Sequence, residues 1–593
     1  MIDHPPKPRL ALTVGVTGHR LHRDPTPEGE ARPFDVAAVE AALSRFFRAA
    51  AAGLASIDGE ARRCYDPEAP ALTLISSLAE GADRLAAKAA LAAGFALDVV
   101  LPCPPAIYGE TFADDASRQE FAALLASARS QLVLPLAGDA DQATVDRLPR
   151  SFEAAGLAML AQSDILVAVW DGKPPQGRGG TGEIVDEAAR RGAPIVVVDP
   201  TSGAARALVA DDLFDEAAPR RAADVAPRAV EACLPAILAR LTSPPDSRRE
   251  RAGLAHFFSS RVGGRAADSA AVRASAVFDG RDLASAVAAW PRVSAAIAAS
   301  PANRGAAKLY SEALLAAEQV AGRSARGYRQ LFVLSSAATA VASLLVAGSA
   351  RFHELHVVAA AFEFATVAMV AGLVFVATRW RWRERWFEAR EVVERLRIVA
   401  APWLLGAWPA SLKPGQTAWP GWYARAVARE QPLFSGDLGE LLGETRAILG
   451  ALIDEQSSYH RRNAQRLGER DRLFEGLGMA LLVATLADNA LYLTAKLAYG
   501  DSMAAFEPWG LAASIFLPAA ATAAYGVRLF GDFEDLARRS RRTADQLEAL
   551  KARMGEKPDL SALRALADQA ANAMLSDLDA WRVAVESRRL SAG

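Results

Sequence analysis

Three short segments pair glycines with side chains able to hold an anion. Val14 to Arg20, VGVTGHR, contains Gly15 and Gly18, which permit close backbone approach, while Thr17, His19 and Arg20 offer donors to a negative group. Ser76 to Ala87, SSLAEGADRLAA, passes through Ser77 and Gly81 into a helix predicted to begin near Ala82. Trp170 to Ala188, WDGKPPQGRGGTGEIVDEA, carries Asp171 and then Gly179, Gly180 and Thr181 ahead of another helix, whose first backbone N–H groups are free to hold phosphate. Glu80, Asp83 and Glu183 suit the hydroxyls of a ribose, and Arg20, Arg84 and Arg178 suit a phosphate. Alone, each loop reads more readily as a tight turn, with Glu183 and Asp186 as dipole-favoured helix starts. Three in register favour a ligand site. His19 has no second His, Cys or acid at ligand spacing, and HELH at His353 is not a zinc pattern, so no metal is expected.

These loops need strands to present them. Leu10 to Val16, Leu72 to Ser76, Leu97 to Leu101, Gln131 to Leu134, Ile165 to Trp170 and Ile195 to Val198 are of strand length and rich in Val, Ile and Leu, and they alternate with alanine-rich helical stretches. This is the pattern of an α/β domain over residues 1–200: a Rossmann-like parallel sheet with helices on both faces. Parallel strands bring their carboxyl ends to one edge, so one cleft can receive all three loops. Residues 201–326 read as a helical connector, interrupted at Pro244 and Pro245.

The chain has 593 residues, which implies more than one domain. Its 51% hydrophobic share is high beside 23% charged residues, so the apolar residues are concentrated somewhere. Four stretches hold them: 331–350, 355–378, 474–495 and 509–530, each near the roughly 20 residues that cross a bilayer as a helix. The expected multi-domain architecture is therefore α/β plus an all-α membrane part. Its hairpins lie at 327–386 and 473–530, a cytosolic helical segment at 387–472 and cytosolic helices at 531–593. Basic runs at Arg323 to Gln330, Arg379 to Arg385, His460 to Arg472 and Ala537 to Arg542 all fall on one side of these spans, whereas the turns at Ser349 to His356 and Lys496 to Glu507 carry few positive charges. The positive-inside rule then gives a multi-pass protein of the cytoplasmic (inner) membrane with both termini cytosolic. Glu363, Asp488 and Asn489 lie within spans, where polar groups are costly unless they face protein or water, and are read as pore candidates; Pro518 is a predicted kink. Two hairpins are few for a self-contained pathway, so a homo-oligomer is expected.

A formal net charge of -2 gives no global basic signal, and direct nucleic-acid binding is not expected. Three cysteines, Cys64, Cys103 and Cys233, suggest neither a disulfide framework nor a zinc cluster. The opening MIDHPPKPRLALTVGVTGHR reads as a strand segment, without the features of a signal peptide.

At GVTGHR (15–20), SSLAEGADRLAA (76–87), SDILVAVWDG (163–172) and GRGGTGEIV (177–185) the chain resembles the SLOG superfamily, a Rossmann-like group related to lonely-guy phosphoribohydrolases and to the sensor region of melastatin-type TRP channels. ERWFEAREVVERLR (384–397) and GVRLFGDFEDLARRSRR (526–542), with the paired spans, are similar to the SLATT membrane-effector module. The pairing implies a sensor that binds a nucleotide-derived ligand, requires no further cofactor, and drives a membrane effector, an ion channel or pore, in bacterial conflict or antiviral defence. The alternative is a membrane-tethered nucleotide N-glycosidase. The phosphoribohydrolase pattern GGxGTxxE, however, would put its glutamate at Ile184, with Glu183 one place early, so no catalytic residue is named. A passive anchor for an adaptor is the third reading.

Overall fold

The computed structural model describes residues 3–20, 34–57, 59–138, 142–174, 178–209, 221–262, 288–349, 356–408, 418–500, 507–555 and 559–587. They divide into two compact units: Met1–Glu318 with Ala389–Ile453 and Leu550–Leu575, and Gln319–Glu388 with Asp454–Ala549 and Ser576–Gly593.

The first unit is built on a nine-stranded sheet of order β8-β7-β6-β5-β1-β2-β3-β4-β9. Its centre is the expected set: β1 (Ala11–Gly18), β2 (Ala71–Ser76), β3 (Ala96–Leu101), β4 (Ser130–Val133), β5 (Ile165–Val169) and β6 (Ile195–Val198), all parallel. ILVAV of β5 and IVVV of β6 are buried along their whole length, as strands covered on both faces must be. The intervening helices are α1 (Val36–Ala55), α2 (Ala82–Ala92), α3 (Asp115–Ala126), α4 (Thr144–Ala161) and α5 (Thr181–Arg190). Asp35 caps α1 by accepting from Ala38 N, and its Val39, Leu43, Phe46, Phe47, Ala50 and Leu54 form the buried stripe. The chain runs outward from β1 to β4, then returns to the other side of β1 as β5. The topological switch point therefore lies between β1 and β5.

Two features depart from a parallel domain closed at residue 200. The sheet is mixed: β7 (Ala205–Leu208) and β8 (Pro227–Arg228) extend it antiparallel, so part of the supposed connector is sheet. After them α6 (Val230–Thr242) buries Val230, Leu234, Ile237, Leu238 and Leu241, and Gly53 of α1 admits Leu238. α7 (Arg248–Ser259) and α8 (Pro291–Ala299) belong to the same unit. The segment after residue 389 also returns to it, through α12 (Trp419–Glu430) and β9 (Gly436–Asp437), which pairs parallel with β4. Residues 409–417 lie outside the described residues.

That return covers the amino edge of the sheet. Asp164, fully buried just before β5, is held by Arg425 and Arg429 of α12, each at 2.8 Å, and by Thr13 N at 3.0 Å. Burial opposes its ionisation, but the two guanidiniums outweigh this and hold the carboxyl below its usual range. Asp98 of β3 takes a two-pronged bond from Arg129 at 2.9 and 2.7 Å and accepts from Leu433 N at 2.9 Å.

The second unit is helical. Its elements are the later part of α9 (Pro301–Ser349), α10 (His356–Arg379), α11 (Trp382–Arg397) as far as residue 388, α13 (Leu438–Tyr499) from residue 454, α14 (Glu507–Gly531), α15 (Phe533–Ala552) to residue 549, and the end of α16 (Leu560–Ser587). The four apolar stretches are helical wherever they are described, and residues 350–355 and 501–506 of the expected turns lie outside the description. Two helical runs, Leu438–Tyr499 and Ala512–Ala552, contain stretches long and apolar enough to cross a membrane, with only 6% of each stretch buried. Large apolar side chains stand in the open: Phe364 is 77% exposed, Leu491 70% and Leu497 80%. At one end of the α13–α14 pair, Arg528 bonds Asp471 at 2.9 and 3.1 Å and Glu475 at 3.2 Å; further along, Gly510 lets α14 approach Tyr492.

Candidate functional site

β1 delivers the first loop straight to the switch point. Gly18 pairs with Val169 of β5, and a Cβ on it would lie 2.3 Å from Ala82 Cβ and 2.9 Å from Val169 Cβ, so only glycine lets β1, β5 and the start of α2 meet. His19 then ties three elements. Its N donates to Val169 O at 3.1 Å, its carbonyl accepts from Ala82 N at 3.2 Å, and its Nε2 lies 3.1 Å from Asp171 Oδ1. Asp171 Oδ1 also accepts from Lys173 N at 3.1 Å, which shapes the turn after β5. Thr17 pairs with Ala168 in the sheet and is half-buried.

The second loop is drawn tight from within. Leu78 takes a φ of +54° and Gly81 one of +94°, and Leu78 N donates to Ser76 Oγ at 3.0 Å. Asp83 is buried in the first turn of α2, 3.4 Å from both Ser76 Oγ and Ala79 N, with Ser77 N also donating to it. Burial outweighs these bonds and pushes its carboxyl up to about 7. Glu80 accepts from Ala113 N at 2.8 Å and from Ser117 Oγ. Arg84 donates to Leu78 O, Ser117 O and Glu120 Oε2 and lies 4.5 Å from the Phe112 ring centre. Glu80 and Arg84 therefore fasten the loop to α3 and the segment before it.

In the third loop, Gly179 has a φ of +76° and sits against α4, where a Cβ would come within 2.6 Å of Glu153 N and 2.7 Å of Pro149 O. Glu183 Oε2 accepts from Gly179 N at 2.6 Å, closing the turn before α5. Gly180 occupies the N-cap without a side-chain bond to the helix, leaving Thr181 first in α5 at the carboxyl edge. Arg178 is exposed and paired with Glu153.

The loops converge around residues that no motif marks. Arg20 stacks 5.7 Å from the centre of the Phe152 ring, with its Nη1 3.5 Å from Thr111 O, and Gly179 packs against the same Phe152. Tyr108, fully buried, lies 6.2 Å from Phe152, and burial pushes its hydroxyl well above its ordinary range. The aromatic floor of Tyr108 and Phe152 could have been sought only as hydrophobes preceding the loops. Gly15 does not join this edge: it packs against Met159 of α4 and Ser163 just after that helix. The arrangement offers a half-buried guanidinium, a helix N-terminus and a histidine–aspartate pair at one edge of the sheet, which suits an anionic ligand carrying hydroxyls.

Of the residues within the apolar helices, Glu363 and Asn489 are exposed, whereas Asp488 turns Oδ2 out of solvent contact without a hydrogen-bond partner. Thr485, one turn earlier on the same side of α13, is buried. Comparison with known proteins gives no match for this chain: no family model, curated protein or solved structure is significantly similar to it.

Proposed function

We propose that this chain is a membrane-embedded receptor: the carboxyl edge of its sheet binds a nucleotide-derived ligand, and binding gates an oligomeric pore built from its apolar helices. The observation that carries the reading is the union in one chain of glycine-bearing loops gathered at a sheet switch point with helices whose large apolar side chains lie exposed. The four apolar stretches act as two hairpins, and the basic flanks put both termini in the cytosol. Ligand shifts the closed and open populations through its different affinity for the two. Asp488, unpaired in an apolar helix, is the polar group placed to line or control the path. The resemblance to SLOG and SLATT modules gives the biological setting, bacterial defence.

Glu183 favours a sensor over an N-glycosidase, because its carboxylate is occupied in closing the Gly179 turn. The full-length protein reconstituted in dye-loaded liposomes tests the proposal, with nucleotides and cyclic or linear nucleotide signals added and each mixture read by mass spectrometry. Leakage that depends on an intact compound, and is lost in Arg20→Ala, is the expected result. Release of the free base without leakage would establish the enzyme instead, and neither response would leave a passive anchor.

A further inference from the structure

A cavity of about 1190 Å³ in the first unit is lined, among the residues discussed for the three loops, only by Arg178 and its partner Glu153. It lies beside α4 and α5 and is also bordered by the 402–408 segment and the start of α16. Among the described residues lining it are six arginines and four acids, and the acids leave a positive surplus. Glu153 is taken by Arg178, Glu187 is shared by Arg190 and Arg191, and Asp559 spends Oδ1 on Ser561 Oγ and Ala562 N.

Arg564 is the telling residue. Its Nε donates to Leu405 O at 2.9 Å, yet its Nη2 is closed from solvent with no partner. No carboxylate offsets its charge, and burial alone pushes its guanidinium down to about 10. Gly406, at a φ of +65°, makes room for it: a Cβ there would lie 3.3 Å from Arg564 Nη2. Arg425, 8% exposed, adds a second buried and unpartnered donor, Nε, because its Nη2 is spent on an Asp164 that Arg429 also claims. An uncompensated buried guanidinium is costly, and its natural complement is an anion with several acceptor oxygens. The volume exceeds that of an inorganic ion and is at the scale of organic ligands.

We propose that this cavity is a second binding site, for an organic phosphate, in which Arg564 and Arg425 hold the phosphate oxygens from within and Arg150 meets it at the rim. The site shares only Arg178 with the three loops, contains neither Arg20, His19 nor Thr181, and does not depend on what binds there.

The test uses the full-length protein in detergent, titrated with inorganic pyrophosphate and with ADP, reading thermal midpoint and calorimetric affinity. Potassium chloride at matched ionic strength is the control. Wild-type protein is expected to be stabilised by pyrophosphate or ADP beyond the chloride control. Arg564→Met should weaken that affinity at least tenfold and raise the midpoint of the ligand-free protein, since it removes an unpaired buried charge. The exposed Arg150→Ser should weaken it about threefold without altering the ligand-free midpoint; this variant decides the matter should Arg564→Met fail to fold. Arg20→Ala should leave this affinity unchanged, which separates the cavity from the switch-point site. No stabilisation beyond chloride, or wild-type affinity in Arg150→Ser and any folded Arg564→Met, would overturn the proposal.

Discussion

The two edges of the central sheet are made of similar residues put to opposite uses. At the amino edge every strongly charged group meets a partner from a distant part of the chain: Asp164 takes Arg425 and Arg429, and Asp98 takes Arg129 and the Leu433 amide. The return of residues 419–437 over that edge turns it into core. At the carboxyl edge the acid at the loop, Asp83, is buried among hydroxyl and amide donors with no guanidinium bonded to it, and its carboxyl is pushed up to about 7. Asp164 is pushed the other way. Burial is common to both. What differs is the partner: two guanidiniums meet Asp164 where the edge serves the fold, and none is bonded to Asp83 where the edge remains available to a ligand.

The sharpest way to break this contrast is to remove its strongest buried charge. Asp164→Ala leaves two guanidiniums facing each other without an acid, and a loss of about 3–5 kcal/mol is expected, read by denaturant titration of tryptophan fluorescence. Because the folded value of Asp164 is depressed, its contribution is present above the unfolded carboxylate value of about 3.9 and lost as pH falls through the folded value. The difference between wild type and variant should therefore hold from pH 8 to pH 5 and shrink only in stronger acid. Asp83→Asn should behave inversely. A folded carboxyl raised from 3.8 to about 7 favours its neutral form, so wild type pays nothing below pH 3.8 and loses stability as pH rises toward 7. The Asn variant should be more stable by about 4 kcal/mol at pH 8 and nearly equal at pH 4. Parallel pH profiles for the two variants would erase the distinction between the edges.

The sequence disclosed the central strands because buried parallel strands are unbroken apolar runs, as in Ile165–Val169. It did not disclose β7, whose ARAL is half exposed, or β9, two residues that reach β4 from some 300 positions away. α12 was hidden for a related reason: WPGWYARAVARE reads as a helix with a solvated basic face, whereas Arg425 and Arg429 are buried against an acid that the local sequence does not contain. In the site, the glycines marked the loops correctly, but not which neighbour each admits. Gly18 opens the switch point, while Gly15 and Gly179 accommodate α4. Glu80 and Arg84 looked free for ligand because their partners, Ser117 and Glu120, sit in a stretch without a motif.

A smaller effect is expected where the two edges differ in shape. Gly18→Ala forces a methyl toward Ala82 and Val169, atoms set by the backbone, and should cost about 1–2 kcal/mol of stability. Its larger consequence is at the site, where moving α2 away from β1 should abolish the nucleotide-induced rise in thermal midpoint. A glycine-to-alanine change at Gly94 is the comparison: its φ is +86° with nothing nearby, so strain alone would act and ligand response should survive.

The smallest expected change in stability isolates ligand binding from folding. Thr181 opens α5 behind an N-cap, Gly180, that makes no side-chain bond, so the first amides of this helix and the Thr181 hydroxyl are available together at the carboxyl edge. Thr181→Ala keeps the helix, since alanine is the better helix former, and stability should change by less than about 0.5 kcal/mol. Loss of one charge-assisted hydrogen bond to a phosphate oxygen is worth about 1.5–3 kcal/mol, or upward of about tenfold in affinity, measured by calorimetry against the nucleotide that stabilises wild type best. Unchanged affinity would mean that the start of α5 does not face the ligand. The site would then be reduced to the His19, Asp171 and Arg20 corner between β1 and β5.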